Sequence, residues 1–442
     1  MNSRRAAIVG TGHRGRMYTQ GVAAAEGIDV VALCDPNPVR LGVHNQLLAD
    51  RGRPRASTWA PEDFKTMLQH ERVDTLVVTT VDRFHDRYIL AGLEAGVRVI
   101  TEKPMTTDAE KCRRILDTVL RTDNHVTVTF NYRFSPVHAE VRRLLAEGTI
   151  GDPLSVHFEW LLDVHHGADY FRRWHRQKVN SGGLMVHKAG HHFDLVNWWL
   201  QAAPETVFGM GRLAFYGAEN GVRRGLRHDY ERATGAPAAA DDPFALDLAD
   251  NPGLKALYLD AEPVDGYQRD RNVFNDDITI EDDMAVMVRY DSGATMSYHL
   301  TAYSPWEGYR VMFNGSRGRL ELEVAENTWR AGDSAAASPT GALHGEDPAP
   351  DSGGARIVVR PLWAPPREVP IVVPAGGHGG GDERLMAALF AGGDGSVCED
   401  PAARAAIATE YDGANALAIG AAANQSFVTG QPVSVRDLLD PT

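Results

Sequence analysis

Apolar positions in the first 130 residues fall into short unbroken runs, separated by stretches with helical spacing. Residues 5–10 (RAAIVG), 28–35 (IDVVALCD), 73–80 (VDTLVVTT), 97–104 (VRVITEKP) and 125–134 (HVTVTFNYRF) read as strands. Residues 14–26, 38–52, 86–96 and 108–123 read as helices, two of them stopped by Gly52 and Gly96. Strands alternating with helices of this length predict βαβ units around a parallel sheet. The strands lack a polar face, as expected when helices cover both sides of such a sheet.

The pattern changes after about residue 125–135. Strand-like segments then follow one another: 154–164 (LSVHFEWLLDV), 206–216 (TVFGMGRLAFY), 283–293 (DMAVMVRYDSG), 294–303 (ATMSYHLTAY) and 308–324 (GYRVMFNGSRGRLELEV). A hairpin is predicted at Ser292-Gly293. One strong helix covers roughly 183–200, and an Ala-rich helix spans 401–426. The expected architecture is an α/β Rossmann N-terminal domain (1–125) plus an α+β C-terminal domain (126–442) with an open, mostly antiparallel sheet. Residues 217–275 and 330–355 carry little periodicity and read as insertions in the second domain.

A length of 442 residues suits two domains rather than one core. Apolar residues make up 43% and charged residues 24%, the balance of an ordinary globular chain. The net charge of −14 argues against nucleic acid as a partner. No window approaches the roughly 20 apolar residues of a membrane span. The start, MNSRRAAIVG, has no signal-peptide pattern, so a cytoplasmic location is expected. Cys34, Cys112 and Cys398 are far apart and form no metal-type cluster, so they read as small buried hydrophobes in a reducing compartment.

Gly10-Thr11-Gly12-His13-Arg14-Gly15 fits G-x-G-x-x-G, and it follows a strand and opens a helix. Asp35 closes the second strand 20 residues beyond Gly15, the place of the acid that accepts from the adenosine ribose. The helix N-terminus offers free N–H groups to phosphates, and Arg14 adds a charge. A carboxylate at Asp35 favours NAD over NADP, although Arg40 lies close in sequence.

Thr101-Glu102-Lys103-Pro104 ends the fourth strand. Upstream stand Thr79-Thr80-Val81-Asp82-Arg83-Phe84-His85 and Ala91-Gly92-Leu93-Glu94-Ala95-Gly96. Asn131-Tyr132-Arg133, Ile150-Gly151-Asp152-Pro153, Ser181-Gly182-Gly183 and the late run 377–382 (GHGGGD) continue the pattern. With the glycine loop, these motifs resemble the glucose–fructose oxidoreductase, inositol dehydrogenase and rhizopine-catabolism (Gfo/Idh/MocA) family over nearly the whole chain. The resemblance implies an NAD(P)-dependent oxidoreductase of carbohydrates. It implies that Lys103 touches both the nicotinamide ribose and the substrate hydroxyl. Gly10, Gly12, His13, Arg14, Gly15, Asp35, Thr80, His85, Glu102, Lys103 and Asn131 would line the cofactor. It also implies a homodimer or homotetramer. In the family's second signature, His191 and Asp194 fall on expected positions, but His187 replaces an Asp and Ala189 a Gly. The catalytic set becomes Lys103, His187 and His191, with Lys188 as an extra base.

Read as a helix, His187 and His191 share one face, and Lys188 and His192 the next. Asp194 stands three residues beyond His191, placed to orient its ring. Hydride transfer from a carbinol needs a base for the hydroxyl proton, a task that suits histidine. A nearby lysine can stabilise the alkoxide or act as base once its pKa falls. The His-x-x-x-His spacing also occurs in zinc helices, but the Glu of H-E-x-x-H is missing, and no metal is expected. Histidines can equally be hydrogen-bonded core. Tyr170, Arg173, Trp174 and Tyr309 are candidate substrate contacts, since aromatic faces beside polar groups suit a sugar; Trp198 and Trp199 read as core. Asp163, His165 and His166 are further pocket candidates.

The leading expectation is hydride exchange between NAD and a secondary hydroxyl of a sugar, glycoside or polyol. Two alternatives stand beside it. One is a glycoside-cleaving enzyme that uses tightly bound NAD transiently. The other is a non-catalytic dinucleotide-binding protein.

Overall fold

The computed structural model describes residues 3–329, 354–371, 380–390 and 400–439. The chain forms two compact units. The first comprises the residues up to Phe134 together with Leu248–Gln268 and Asp382–Ala414. The second comprises Ser135–Asp247, Arg269–Gly381 and the residues from Asn415 onward. The division drawn on sequence at 125/126 is contiguous, whereas two later segments of chain belong with the first unit. Side chains with little periodicity of their own, such as Tyr258 and Asp265, give no sign in sequence of the surface they pack on.

In the first unit, β1 (Arg4–Val9), β2 (Ile28–Cys34), β3 (Ser57–Trp59), β4 (Thr75–Val78), β5 (Arg98–Thr101) and β6 (Val126–Val128) form a parallel sheet in the order β6-β5-β4-β1-β2-β3. The two residues Ala408–Thr409 add an antiparallel edge to β6. This is the doubly wound order whose switch point lies between β1 and β4. Helices α1 (His13–Ala24), α2 (Pro38–Asp50), α3 (Phe64–His70), α4 (His85–Glu94) and α5 (Ala109–Thr122) make the crossovers. Asn37 caps α2 by accepting from the Val39 amide, and Asp108 caps α5 by accepting from Lys111, each worth about 1 kcal/mol. Val77, Val78, Val99 and Ile100 are wholly buried, which explains the unbroken apolar runs. The fifth predicted strand stops at Val128, and Asn131–Phe134 turn into a 3-10 helix.

The second unit is built on β7 (Pro153–Asp163), β8 (Pro204–Arg212), β9 (Asp283–Tyr290), β10 (Thr295–Ser304), β11 (Gly308–Gly315), β12 (Gly318–Ala325), β13 (Gly354–Pro361) and β14 (Arg367–Val369). Their order is β14-β13-β12-β11-β7-β10-β9-β8, with Val433–Ser434 beside β8. Every pairing is antiparallel except β7 with β10. The hairpin forms as expected, with Gly293 at φ +83°. Along β9, Met284, Val286, Val288 and Tyr290 are buried while Ala285, Met287 and Arg289 are exposed. One face therefore packs and the other is open. The packed face meets α6 (Pro136–Ala146) and the segment Ala189–Leu200, tied by the Trp199 indole donating to the His138 carbonyl at 3.0 Å.

Three expectations need correction. Residue 164 does not extend β7; it starts a helix, α7 (Val164–Arg172), because Asp163 accepts from the His165 and His166 amides and caps it. The helix expected over 183–200 is two pieces, Leu184–His187 and Ala189–Leu200, jointed at Lys188. The Ala-rich helix over 401–426 is likewise broken, into Pro401–Ala406 and Glu410–Thr429 around the short strand. The expected insertion at 217–275 holds only short helical turns, while Cys398 and most of 330–355 lie outside the described residues.

Candidate functional site

In the first unit, the chemistry-bearing residues stand at the carboxyl ends of the strands. Gly10 follows β1, Asp35 follows β2, Thr80 follows β4, and Glu102 and Lys103 follow β5. Gly10 has φ +87°, and a Cβ there would stand 2.6 Å from the Thr79 carbonyl carbon. A Cβ on Gly15 would meet the Gly10 oxygen at 2.6 Å, so α1 packs against the loop only because residue 15 has no side chain. Gly12 is different: the nearest atom to its notional Cβ is the Tyr258 hydroxyl at 3.8 Å. That opening lies at the N-cap of α1, where no side chain caps the first turn. A phosphate suits such a place, and these residues fit a dinucleotide.

Asp35 is buried and fixed by the backbone. Its Oδ2 accepts from the Thr11 amide at 2.8 Å and its Oδ1 from the Asn37 amide at 2.8 Å. Arg40 donates to it from Nε at 3.3 Å. His13 reaches the Tyr258 hydroxyl through its backbone amide at 3.1 Å.

At the other end, Glu102 anchors the turn before Lys103. Its Oε1 accepts from Arg14 Nε at 2.6 Å and from the Tyr18 hydroxyl at 2.8 Å, and its Oε2 accepts from the Lys103 amide at 3.1 Å. Burial pushes the Tyr18 phenol up, with the Glu102 charge adding to it, so Tyr18 stays a donor. Arg14 also pairs with Asp382 at 3.1 Å, and Asp382 accepts from Asn131 Nδ2 at 2.7 Å. Arg14 is thus committed to two carboxylates within the protein. His85 lies between two carbonyls, Pro104 O at 2.8 Å from Nδ1 and Thr80 O at 3.0 Å from Nε2. Burial lowers its pKa, against the pull of the two carbonyls, and the ring braces the Lys103-Pro104 turn. Sequence reasoning missed Tyr18, Asn37, Tyr258 and Asp265. Asp382 was visible only as the last residue of a glycine run.

In the second unit, the jointed histidine segment packs on aromatic rings. Trp160 on β7 is stacked by Tyr309, its cross-strand partner on β11, at 4.3 Å and by His192 at 4.1 Å. The Lys188 Nζ sits over the same indole, 4.6 Å from the ring centre. Burial lowers the pKa of Lys188, against the opposing pull of Glu307 and Glu326. His187 meets His175 edge-on at 4.2 Å and Tyr170 at 5.6 Å. Trp174 stacks on His175 at 3.5 Å. Arg173 pairs with Asp169 at 2.9 Å and lies over the Tyr170 ring at 5.6 Å. Tyr309 is buried in the Trp160 stack, its hydroxyl 2.6 Å from His138 Nε2. His191 and Asp194 are buried on the longer helix, and Trp199 is core.

A buried polar chain runs alongside. Asn327 donates to Asp163 Oδ2 at 2.7 Å and accepts from the Glu307 amide at 3.0 Å. Glu307 Oε1 meets His166 Nδ1 at 2.5 Å, and His166 Nε2 meets the Tyr170 hydroxyl at 3.2 Å. Burial, then the Lys188 charge, holds the His166 pKa well below the ordinary range. Of this chain, Asp163, His166 and Tyr170 were named from sequence; Glu307 and Asn327 carried no local signal. Among the described residues, no three His, Cys, Asp or Glu side chains are arranged to hold a metal ion, and no helix is long and apolar enough to cross a membrane.

Two family models match. Residues 4–130 fit the oxidoreductase family's NAD-binding Rossmann fold, and residues 142–435 fit its C-terminal alpha/beta domain. An oxidoreductase by name, YteT of Bacillus subtilis (strain 168), is 31% identical over 93% of this chain and 92% of its own length. A glycosyl hydrolase family 109 protein of Shewanella woodyi is 22% identical over 72% of this chain and 63% of its own length. Among solved structures, myo-inositol 2-dehydrogenase from Lactobacillus plantarum shares the fold with a TM-score of 0.61, at 15% identity, over 98% of this chain and 99% of that one.

Proposed function

The chain belongs to the Gfo/Idh/MocA family of NAD-binding oxidoreductases, and from that premise we propose that it moves a hydride between a secondary hydroxyl of a sugar, glycoside or polyol and NAD. The observation that carries the reading is the anchored Glu102-Lys103-Pro104 turn at the carboxyl edge of β5, held by Arg14, Tyr18 and His85. A bound nicotinamide supplies the hydride acceptor. Gly10, Gly12, Gly15, His13 and Asp35 would hold the dinucleotide, with Thr80 and Asn131 beside it.

The protein's own residues handle the proton. Lys103 is proposed to meet the reacting hydroxyl and stabilise the alkoxide. His187, His191 and Lys188 are the proposed acid–base groups of the second unit, and Tyr170, Arg173 and Trp174 its sugar contacts. Tyr309 supports the site by stacking on Trp160. The open face of the second sheet, with Met210 and Met287 exposed, suits a homo-oligomer. The absence of any basic surplus keeps nucleic acid out of the reading.

The direct test is Lys103→Met on a panel of sugars and polyols. Turnover should fall by about a thousandfold, the size of a lost acid–base or charge-stabilising group, while dinucleotide affinity stays within a few-fold. Normal turnover in that variant would overturn the assignment.

A second reading is favoured by one specific observation. The chain matches glycosyl hydrolase family 109 proteins, and Lys188 and His166 supply buried acid–base groups beyond the one base a dehydrogenase needs. In that reading, oxidation is transient and a glycosidic bond is cleaved with no net NADH. Scoring the panel by both NADH absorbance and released sugar separates the two.

A further inference from the structure

Asp265 lies 225 residues beyond Arg40 in sequence, yet the two side chains are hydrogen-bonded. The segment Leu248–Gln268 belongs to the first unit and is fastened to the end of β2. Asn37 Nδ2 donates to the Ala261 carbonyl at 2.8 Å and to Asp265 Oδ2 at 3.0 Å. Tyr258 of the same segment accepts from the His13 amide in the glycine loop at 3.1 Å. The segment therefore lies against two parts of the chain that a dinucleotide contacts in this fold, the glycine loop that takes the pyrophosphate and the acid after the second strand that takes the adenosine ribose.

Its charge matters more than its position. Arg40 is the cation next to Asp35, and an arginine in that place is what accommodates a 2′-phosphate in NADP-binding members of this fold. Here the guanidinium is already engaged at both ends. Nε donates to Asp35 Oδ1 at 3.3 Å, and the other end is held by Asp265. Arg40 and Asp35 are both about nine-tenths buried, and Asp265 is four-fifths buried. Two carboxylates around one guanidinium leave a net negative group where a 2′-phosphate would bring two more negative charges.

We propose that Leu248–Gln268 is part of the cofactor site and that Asp265 is the residue that makes it reject NADP, by holding Arg40 between two acids. Asp35 alone leaves the question open, because Arg40 would offset it. Asp265 tips the balance. The inference rests on the cofactor reading above and names a selectivity residue within it.

The experiment is titration of the full-length protein with NADH and NADPH, followed by nicotinamide fluorescence, so that no substrate is needed. In Asp265→Ala and in the near-isosteric Asp265→Asn, NADPH should bind at least about tenfold tighter than to wild type, a change equivalent to about 1.4 kcal/mol. NADH should change by less than about threefold over the same series. The gain should vanish in Arg40→Met/Asp265→Asn, since the freed guanidinium is its source. An unchanged NADPH-to-NADH ratio in both single variants, with NADH still bound, would overturn the role of Asp265 and leave the cofactor reading intact. A wild-type protein that bound neither dinucleotide would overturn the cofactor reading itself.

Discussion

Lys188→Met separates a functional lysine from a structural one. Lys188 is 3% exposed, sits over Trp160 at 4.6 Å and is held below the ordinary lysine pKa by burial. Two energies oppose each other. Contact with the indole face is worth about 2 kcal/mol when desolvated. Taking the ammonium out of water costs several kcal/mol, and the lowered pKa says the cost wins. Methionine has nearly the same length and no charge. The variant should therefore be more stable than wild type at about pH 7, by up to about 2 kcal/mol. The pH dependence carries the sign. The folded-state pKa lies below the unfolded value of about 10.4, so between the two the unfolded chain holds a proton that the folded one lacks. Wild-type stability gains from this group as pH rises towards 10.4, by about 1.4 kcal/mol for each pH unit that separates the folded and unfolded pKa values. Below the folded pKa the penalty is complete and constant. Urea denaturation of both proteins from about pH 7 to about pH 10 should show their stabilities converging as pH rises. Turnover should collapse in Lys188→Met although the fold is intact. A variant less stable than wild type by more than about 2 kcal/mol, with a gap that does not change with pH, would refute this account of the site.

Two further outcomes follow from geometry. Gly10→Ala forces a Cβ to 2.6 Å from the Thr79 main chain at φ +87°; denaturation should show a loss of about 3 kcal/mol or more, and an unchanged midpoint would refute the tight turn. His44 is buried against Thr19, and burial lowers its pKa to about 4. The unfolded chain protonates that ring below about pH 6.5 while the folded one does not, so acidification to about pH 5 should remove about 2 kcal/mol of stability through this residue. His44→Gln should show a smaller acid loss in the same titration, and an equal loss in both proteins would contradict the lowered pKa.

The first unit was legible because its signals are local. Gly10, Gly15 and Asp35 are required by backbone geometry within one βαβ unit, and the apolar runs of β1, β4 and β5 come from burial on both faces. What stayed hidden depends on contacts made far along the chain. Asp265 and Asn37 are 228 residues apart, and Glu307 is 141 residues from His166. Nothing in the composition near Glu307 marks it as a buried carboxylate. The break at Lys188 was hidden for another reason. His187, Lys188 and His191 keep helical spacing and Lys188 itself keeps helical φ and ψ (−91°, −52°), so no residue marks the joint, and Lys188 and His192 still meet the same Trp160 ring.

The two units use buried carboxylates in different ways, and the difference bears on the reaction. In the first, Glu102 and Asp382 neutralise the charge of Arg14, and Glu102 fixes the main chain that carries Lys103. In the second, Glu307 contacts a titratable ring, His166, and its charge pulls on Lys188. A buried ion pair is weak evidence for stability, so its worth to the fold and its worth to the chemistry are separated by experiment. A plain dehydrogenation moves one proton, and the proposal above assigns it to Lys103 and one histidine. Removal of an acidified C–H proton and protonation of a departing oxygen need two more proton-handling groups. In the glycoside-cleaving reading proposed above, Lys188, whose pKa burial lowers, is placed for the first role and His166, in contact with Glu307, for the second. That reading asks the buried groups of the second unit to supply the extra acid–base capacity. Glu307→Gln should expose this: it should slow glycoside cleavage by about a hundredfold or more while leaving hydride exchange with a simple polyol within about threefold. Equal loss of both would assign Glu307 to holding the fold of the site, and no loss of either would remove the network from the chemistry.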